Sequence, residues 1–140
     1  MGLRRLAREY ALQILYAVDV CKLEVEEVQE SFWDGHKTGR KVLEFATTLV
    51  EGTIKNLPQI DSLIAKYAKN WDIHRMASID RNILRQATFE ILFLLDIPIN
   101  VIINEAVELA KKYSTEESGR FVNGILDKVR EGRSEKSAKE

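Results

Sequence analysis

The chain has 140 residues, 45% apolar and 31% charged, which suits a single soluble domain that can bury a core without disulfides or metal. Lysine plus arginine total 21 and aspartate plus glutamate 22, a net charge of −1, so binding of nucleic acid by bulk charge is excluded and any RNA contact must be a local patch. Cys21 is the one cysteine, and no signal-peptide stretch or long uninterrupted apolar window occurs; a cytoplasmic protein with no membrane association is expected.

Apolar residues spaced three and four apart, without strand or hairpin signals, predict an all-α chain. The first helix is expected from about Leu3 to Val18, with Leu3, Leu6, Tyr10, Ile14 and Val18 on one apolar face and Ala7 and Ala11 filling it. A short acidic segment follows, about Val25 to Phe32, and Gly35 to Gly39 breaks it. The third helix spans about Lys41 to Lys55. Pro58 suits the first turn of the next, Gln59 to Lys69, because its missing N–H would be unpaired there in any case.

Ser78 reads as the N-cap of a fifth helix that continues through Ile83, Ala87 and Ile91 to Leu95, with Asp96-Ile97-Pro98 ending it. Asn100 to Tyr113 forms a sixth helix that absorbs the strand-like run Val101-Ile102-Ile103. Ser114-Thr115-Glu116-Glu117 fits a capping box in which Ser114 caps and Glu117 reaches back, opening a last helix to about Arg130. Residues 1–130 are therefore expected as one all-helical domain of about seven helices, and 131–140 as a charged, frayed tail.

Catalysis has no constellation to stand on. His36 and His74 lie in no metal-ligand spacing, Glu105 and Glu108 lack the histidine a di-metal site wants, and no phosphate loop, dinucleotide fingerprint or nucleophile elbow occurs. The chain is expected to be no enzyme, with no metal and no cofactor.

The first helix is more informative. At 100° per residue, Arg5, Glu9, Gln13 and Tyr16 fall opposite the apolar face, with Arg4 and Arg8 at its border. Arginine forks pair with phosphate or base edges, and an outward tyrosine stacks on an unpaired base. Cations near a helix N-terminus oppose the macrodipole, so local stability does not account for Arg4 and Arg5. In the last helix, Phe121 falls at the rim of the buried stripe with Arg120 and Asn123 further out, a second stacking candidate. On the helix that begins near Ser78, Asp80, Arg81, Arg85 and Glu90 fall away from the core stripe and suit a protein interface. Trp33, Trp71 and Tyr67 read as core or junction residues.

Four stretches together resemble the NusB family of bacterial transcription-antitermination factors. They are Arg4 to Glu9 with Gln13-Ile14-Leu15-Tyr16; Ile79 to Arg85 with Glu90; Asp96-Ile97-Pro98 followed by Ile103 to Tyr113; and Phe121 to Asp127. The resemblance implies two packed helical bundles and a factor that binds boxA RNA of ribosomal RNA transcripts as a single strand, pairs with the ribosomal small-subunit protein NusE, and acts indirectly on the RNA polymerase elongation complex. It places Arg4, Arg5 and Arg8, with Gln13 and Tyr16, at the RNA, joined by Arg120, Phe121 and Asn123. It sets the NusE surface around Asp80, Arg81, Arg85 and Glu90. The same domain occurs fused to ribosomal RNA methyltransferases, but the free-standing factor is expected here. The alternative function is a helical adaptor that binds protein without specific RNA recognition, and exposed aromatics would also permit a homodimer.

Overall fold

The computed structural model describes residues 2–69 and 71–133. Among them are seven α-helices: α1 Gly2–Cys21, α2 Val25–Gly35, α3 Arg40–Lys55, α4 Leu57–Tyr67, α5 Ser78–Phe93, α6 Ile99–Tyr113 and α7 Glu116–Val129, with a 3-10 turn at Ile73–Arg75 before α5. Every helix expected from the periodicity is present. Pro58 sits in the first turn of α4, where a missing N–H does no harm.

Two caps differ from expectation. Ser78 is the first helical residue of α5 and Ala77 precedes it without a side-chain cap. Ser78 turns its hydroxyl to Arg81 instead. At α7 the cap is Thr115, whose hydroxyl accepts from the Ser118 N–H at 3.0 Å. Ser114 bonds the Ser118 hydroxyl, so the box is shifted by one residue.

The fold is organised around α5, which touches α1, α3, α4, α6 and α7. α1, α2 and α3 pack together on one side, and α4, α6 and α7 on the other. One continuous core runs through both groups. Such a position buries a helix on all sides, so the expected division of α5 into a core stripe and a charged outer face does not hold. Asp80, Arg81, Arg85 and Glu90 are all buried, as are Asn82, Gln86 and Phe89.

Burying so many polar groups requires a partner for each. Arg8 of α1 supplies the partner for Glu90. Its Nε donates to both carboxylate oxygens at 3.1 Å and its Nη2 to Oε1 at 2.7 Å. Arg8 is 3% exposed and Glu90 1%. Gln86 donates to the Arg8 carbonyl, tying the same turn of α1 to α5 a second time. Arg81 forks onto Asp19 at 2.7 and 2.9 Å, and its other terminal nitrogen reaches the carbonyls of Ile73, His74 and Met76. Arg85 makes a two-point bond with Asp61 of α4.

The apolar face of α1 is rotated accordingly. Ala7, Arg8, Ala11, Leu12, Ile14 and Leu15 are buried, whereas Leu3, expected in the core, is 52% exposed. On α3, Gly52 faces the Phe89 ring so closely that an added Cβ would lie 2.1 Å from Cζ. Glycine is required there by contact rather than by backbone conformation.

Residues 131–133 of the expected tail are described. Arg133 is anchored at the C-terminal end of α5, donating to the carbonyls of Ile91 at 2.7 Å and Ile97 at 2.8 Å, and to those of Glu90 and Leu94. A cation on the last carbonyls of a helix satisfies orphan acceptors and complements the helix dipole. Residues 134–140, the rest of the expected tail, lie outside the described residues.

Arg8→Ala leaves Glu90 charged, buried and alone, and is expected to cost about 3–5 kcal/mol in urea denaturation. Gly52→Ala forces the Phe89 ring aside and is expected to lower stability by about 1–3 kcal/mol in the same assay.

Candidate nucleic-acid interface

The residues expected at an RNA surface divide into three places. Arg4 and Arg5 are exposed at the start of α1. The Arg4 guanidinium lies 4.9 Å from the centre of the Phe45 ring, which fixes it over α3. Arg5 pairs with Glu105 of α6, Nη2 to Oε2 at 3.1 Å and Nε to the two oxygens at 3.2 and 3.3 Å. That bond and the neighbouring negative charge raise the Arg5 pKa above its ordinary value. Arg8, the third arginine of the helix, is buried and turns its guanidinium onto Glu90.

Further along α1, Gln13 and Tyr16 are exposed, Tyr16 by 39%. They border an apolar groove with Leu12, Ile79 and Tyr113, so α1, α5 and α6 meet at this point. Glu9, placed by helical geometry on the same outward side, is partly buried instead. It accepts from Lys112 Nζ and the Tyr113 hydroxyl, each at 2.6 Å. Burial alone would raise the Glu9 carboxyl, but these two hydrogen bonds and the Lys112 charge hold it below its ordinary value. Burial, then the bond to Glu9, pushes Tyr113 up.

The third place is on α7. Arg120 and Asn123 are exposed, and Phe121 is partly buried. The Phe121 ring meets Trp71 edge to face, with centroids 5.5 Å apart and an angle of 72°. Trp71 is not a core residue: it is 56% exposed.

α1 runs antiparallel to α5, as Arg8 bonds Glu90 near one end while Asp19 bonds Arg81 and Asn82 near the other. Ser118 bonds Asp80, which fixes the start of α7 at the N-terminal end of α5. The exposed arginines therefore stand at the C-terminal end of α5, and the Phe121 group toward its N-terminal end. Tyr16, beside Ile79, lies nearer the latter. A ligand that touched all three places would run along the length of α5.

Sequence reasoning placed Glu9 on the outward side of α1 but missed Glu105, Lys112 and Tyr113 as parts of this surface. One signal was available: Glu105 and Lys112 are seven apart, two turns along one helix face. It also placed Asp80, Arg81, Arg85 and Glu90 at a partner surface, whereas all four are buried and bonded to other helices or turns of the molecule. Asp80 accepts from the Ser118 hydroxyl at 3.2 Å, and burial raises its carboxyl despite that bond. Burial likewise raises Glu90, which Arg8 opposes. Among the described residues, no group of three or more His, Cys, Asp or Glu side chains could hold a metal ion, and no helix is long and apolar enough to cross a membrane.

These features define a small all-helical adaptor with a basic start and an aromatic-edged surface along one central helix. The chain belongs to the NusB family, whose pattern matches residues 5–131. The transcription antitermination protein NusB of Thermodesulfovibrio yellowstonii is 48% identical over 136 residues, covering 90% of each chain. That of Pelotomaculum thermopropionicum is 52% identical over 126 residues, covering 90% of this chain and 88% of the relative. Among solved structures, T. maritima NusB is similar with a TM-score of 0.87 and 40% identity over 96% of both chains. A crystal structure of antitermination factors NusB and NusE in complex with double-stranded RNA is similar with a TM-score of 0.86 and 30% identity, over 94% of this chain and 98% of that one.

Asp19 is held below its ordinary value of 3.8: burial opposes ionisation, but the Arg81 and Asn82 bonds and the Arg81 and Arg85 charges outweigh it. A depressed carboxyl stabilises the fold above its unfolded value and loses that contribution as pH falls through its folded value. Asp19→Asn is therefore expected to cost about 1.5–3 kcal/mol at neutral pH. In urea titrations at stepped pH, the gap from the parent should close as pH falls below 3.8.

Proposed function

We propose that this protein is a transcription antitermination factor that binds boxA RNA of ribosomal RNA transcripts together with NusE, and acts through that assembly on RNA polymerase elongation. The observation that carries the reading is its likeness, along nearly the whole chain, to a NusB solved with NusE and RNA. Mechanism here is assembly: RNA and NusE each contribute contacts, and holding one raises the effective concentration of the other.

The RNA surface we assign consists of Arg4, Arg5, Gln13 and Tyr16 on α1 with Arg120, Phe121 and Asn123 on α7. Arg8 leaves this set and becomes a positioning residue: by holding α1 on Glu90 it fixes the direction in which Arg4 and Arg5 project. NusE must meet residues other than Asp80, Arg81, Arg85 and Glu90, since these are buried.

Arg5 already has an anionic partner in Glu105, so a phosphate must replace a carboxylate rather than occupy a free site. The gain is the difference between two charge-assisted bonds, one of them exposed and salt-screened. Arg5→Ala is expected to weaken boxA binding and to reduce the slope of log affinity against log salt by about 0.7. Glu105→Gln, which releases the arginine, is expected to tighten binding. Titrations with labelled RNA in the presence of NusE check both; affinity unchanged in the two variants would remove Arg5 from the site.

A further inference from the structure

Trp71 and Phe121 lie fifty positions apart and meet edge to face on the surface. An exposed indole seated on a second ring is not by itself a binding site, since single exposed apolar residues are ordinary. Two further observations give this pair a ligand.

The first is the way Trp71 is held. The turn that follows it is fixed by Arg81, whose buried guanidinium takes the carbonyls of Ile73, His74 and Met76 and is itself anchored on Asp19. Asp72 accepts from the His74 N–H, and the Trp71 N–H bonds the Ala68 carbonyl. These bonds fix the backbone from which the indole projects, and the Phe121 ring supports one edge of it, so less conformational freedom is left to lose when a base stacks there.

The second is charge. Nearly every arginine in the described chain has a partner: Arg5, Arg8, Arg40, Arg81, Arg85 and Arg130 pair with carboxylates, Arg4 lies over Phe45, and Arg133 binds carbonyls. Among the described residues, Arg75 and Arg120 are the two arginines without one. Both are exposed, as is Lys69. Arg120 precedes Phe121, and Lys69 and Arg75 flank Trp71 in its own segment. Exposed cations that neighbour the two rings in sequence suit a chain of flat bases joined by phosphates.

We infer that Trp71 is a further RNA-contacting residue, forming with Phe121 a two-ring platform on which an unpaired base of the RNA stacks while Arg75 and Arg120 take the adjoining phosphates. This rests on the RNA-binding reading above and adds to it a residue that sequence reasoning assigned to the core or a junction. The bound strand is thereby drawn toward the N-terminal end of α5, past Tyr16.

The chain has two tryptophans, so Trp33→Phe leaves Trp71 as the sole indole. Trp33 sits in the ring cluster of α1 and α2, away from the platform. Fluorescence of this variant, corrected with the Trp33→Phe, Trp71→Phe double variant, is followed as boxA RNA is added, with and without NusE. Stacking predicts quenching that saturates together with binding measured independently by anisotropy of labelled RNA. Trp71→Ala is expected to weaken RNA binding roughly five- to hundredfold, the range of one base–aromatic stack. Trp71→Phe retains most of the affinity, and circular dichroism checks that both variants are folded. Arg75→Gln and Arg120→Gln should each lower the salt slope by about 0.7.

Unquenched Trp71 emission at saturating RNA overturns the platform, as does full affinity in folded Trp71→Ala; if Phe121→Ala and Arg5→Ala still weaken binding, the RNA reading stands without it. Quenching by NusE alone, with none by RNA, assigns the rings to a protein contact and also overturns the proposal. Failure of the parent chain to bind boxA RNA under any condition removes both readings.

Discussion

A carboxylate with almost no access to water is tolerable only beside a group that replaces the water it has lost, and in this protein that group is Arg8. The pair joins α1 to α5, eighty-two residues apart, through three hydrogen bonds in a plane. Desolvating two charges offsets much of what they gain from each other, so the pair contributes less net stability than its short distances suggest. What it does fix is geometry. A two-point contact sets the rotation of α1 about its axis as well as its position, and the side chains before and after Arg8 project from that setting. Arg5 is carried to Glu105, Arg4 to Phe45, and Tyr16 to the groove beside Ile79. The outer surface of α1 follows from its innermost charge.

The remaining polar groups of α5 repeat this arrangement at other levels. Arg81 with Asp19 and Arg85 with Asp61 each join α5 to a neighbour, and Arg81 also supports the turn that carries Trp71. Charged side chains thus act as internal struts of the two bundles, while the exposed surface is assembled from shorter-range features: a salt link at Arg5, a ring contact at Arg4, an edge-to-face pair at Phe121. The net charge of −1 conceals this division, because a total does not record which charges meet inside the molecule and which face water.

The helices were legible in the sequence, since each shows an apolar period and few glycines or prolines interrupt it. Their environment was not. Periodicity identifies a face, but it assumes that charged residues mark the opposite one, and α5 breaks that assumption. Arg81, Arg85 and Glu90 are buried because Asp19, Asp61 and Arg8 come to meet them from helices remote in sequence. A pairing of that kind leaves no trace in a local window. For the same reason Arg8 looked like its neighbours Arg4 and Arg5, although only those two are free to face outward. Trp71 failed in the other direction. Large aromatics are usually buried, and nothing local indicates that a turn will hold this one against Phe121 on the outside. Gln13, Tyr16, Arg120 and Asn123 were placed on the surface correctly from helical angles alone.

The clasp of Arg133 on α5 has a bearing on the order of events in synthesis. α5 is complete by residue 93, but the guanidinium that closes its carbonyl end is forty positions further on, whereas the arginine that meets Glu90 was made at the very start. The central helix therefore leaves the ribosome with partners for Arg81, Arg85 and Glu90 already made and its last turn open until a much younger segment arrives. Contacts this distant in sequence are closed late and slowly. The clasp makes docking of the last described residues onto α5 a closing event in folding rather than an ornament of the finished fold.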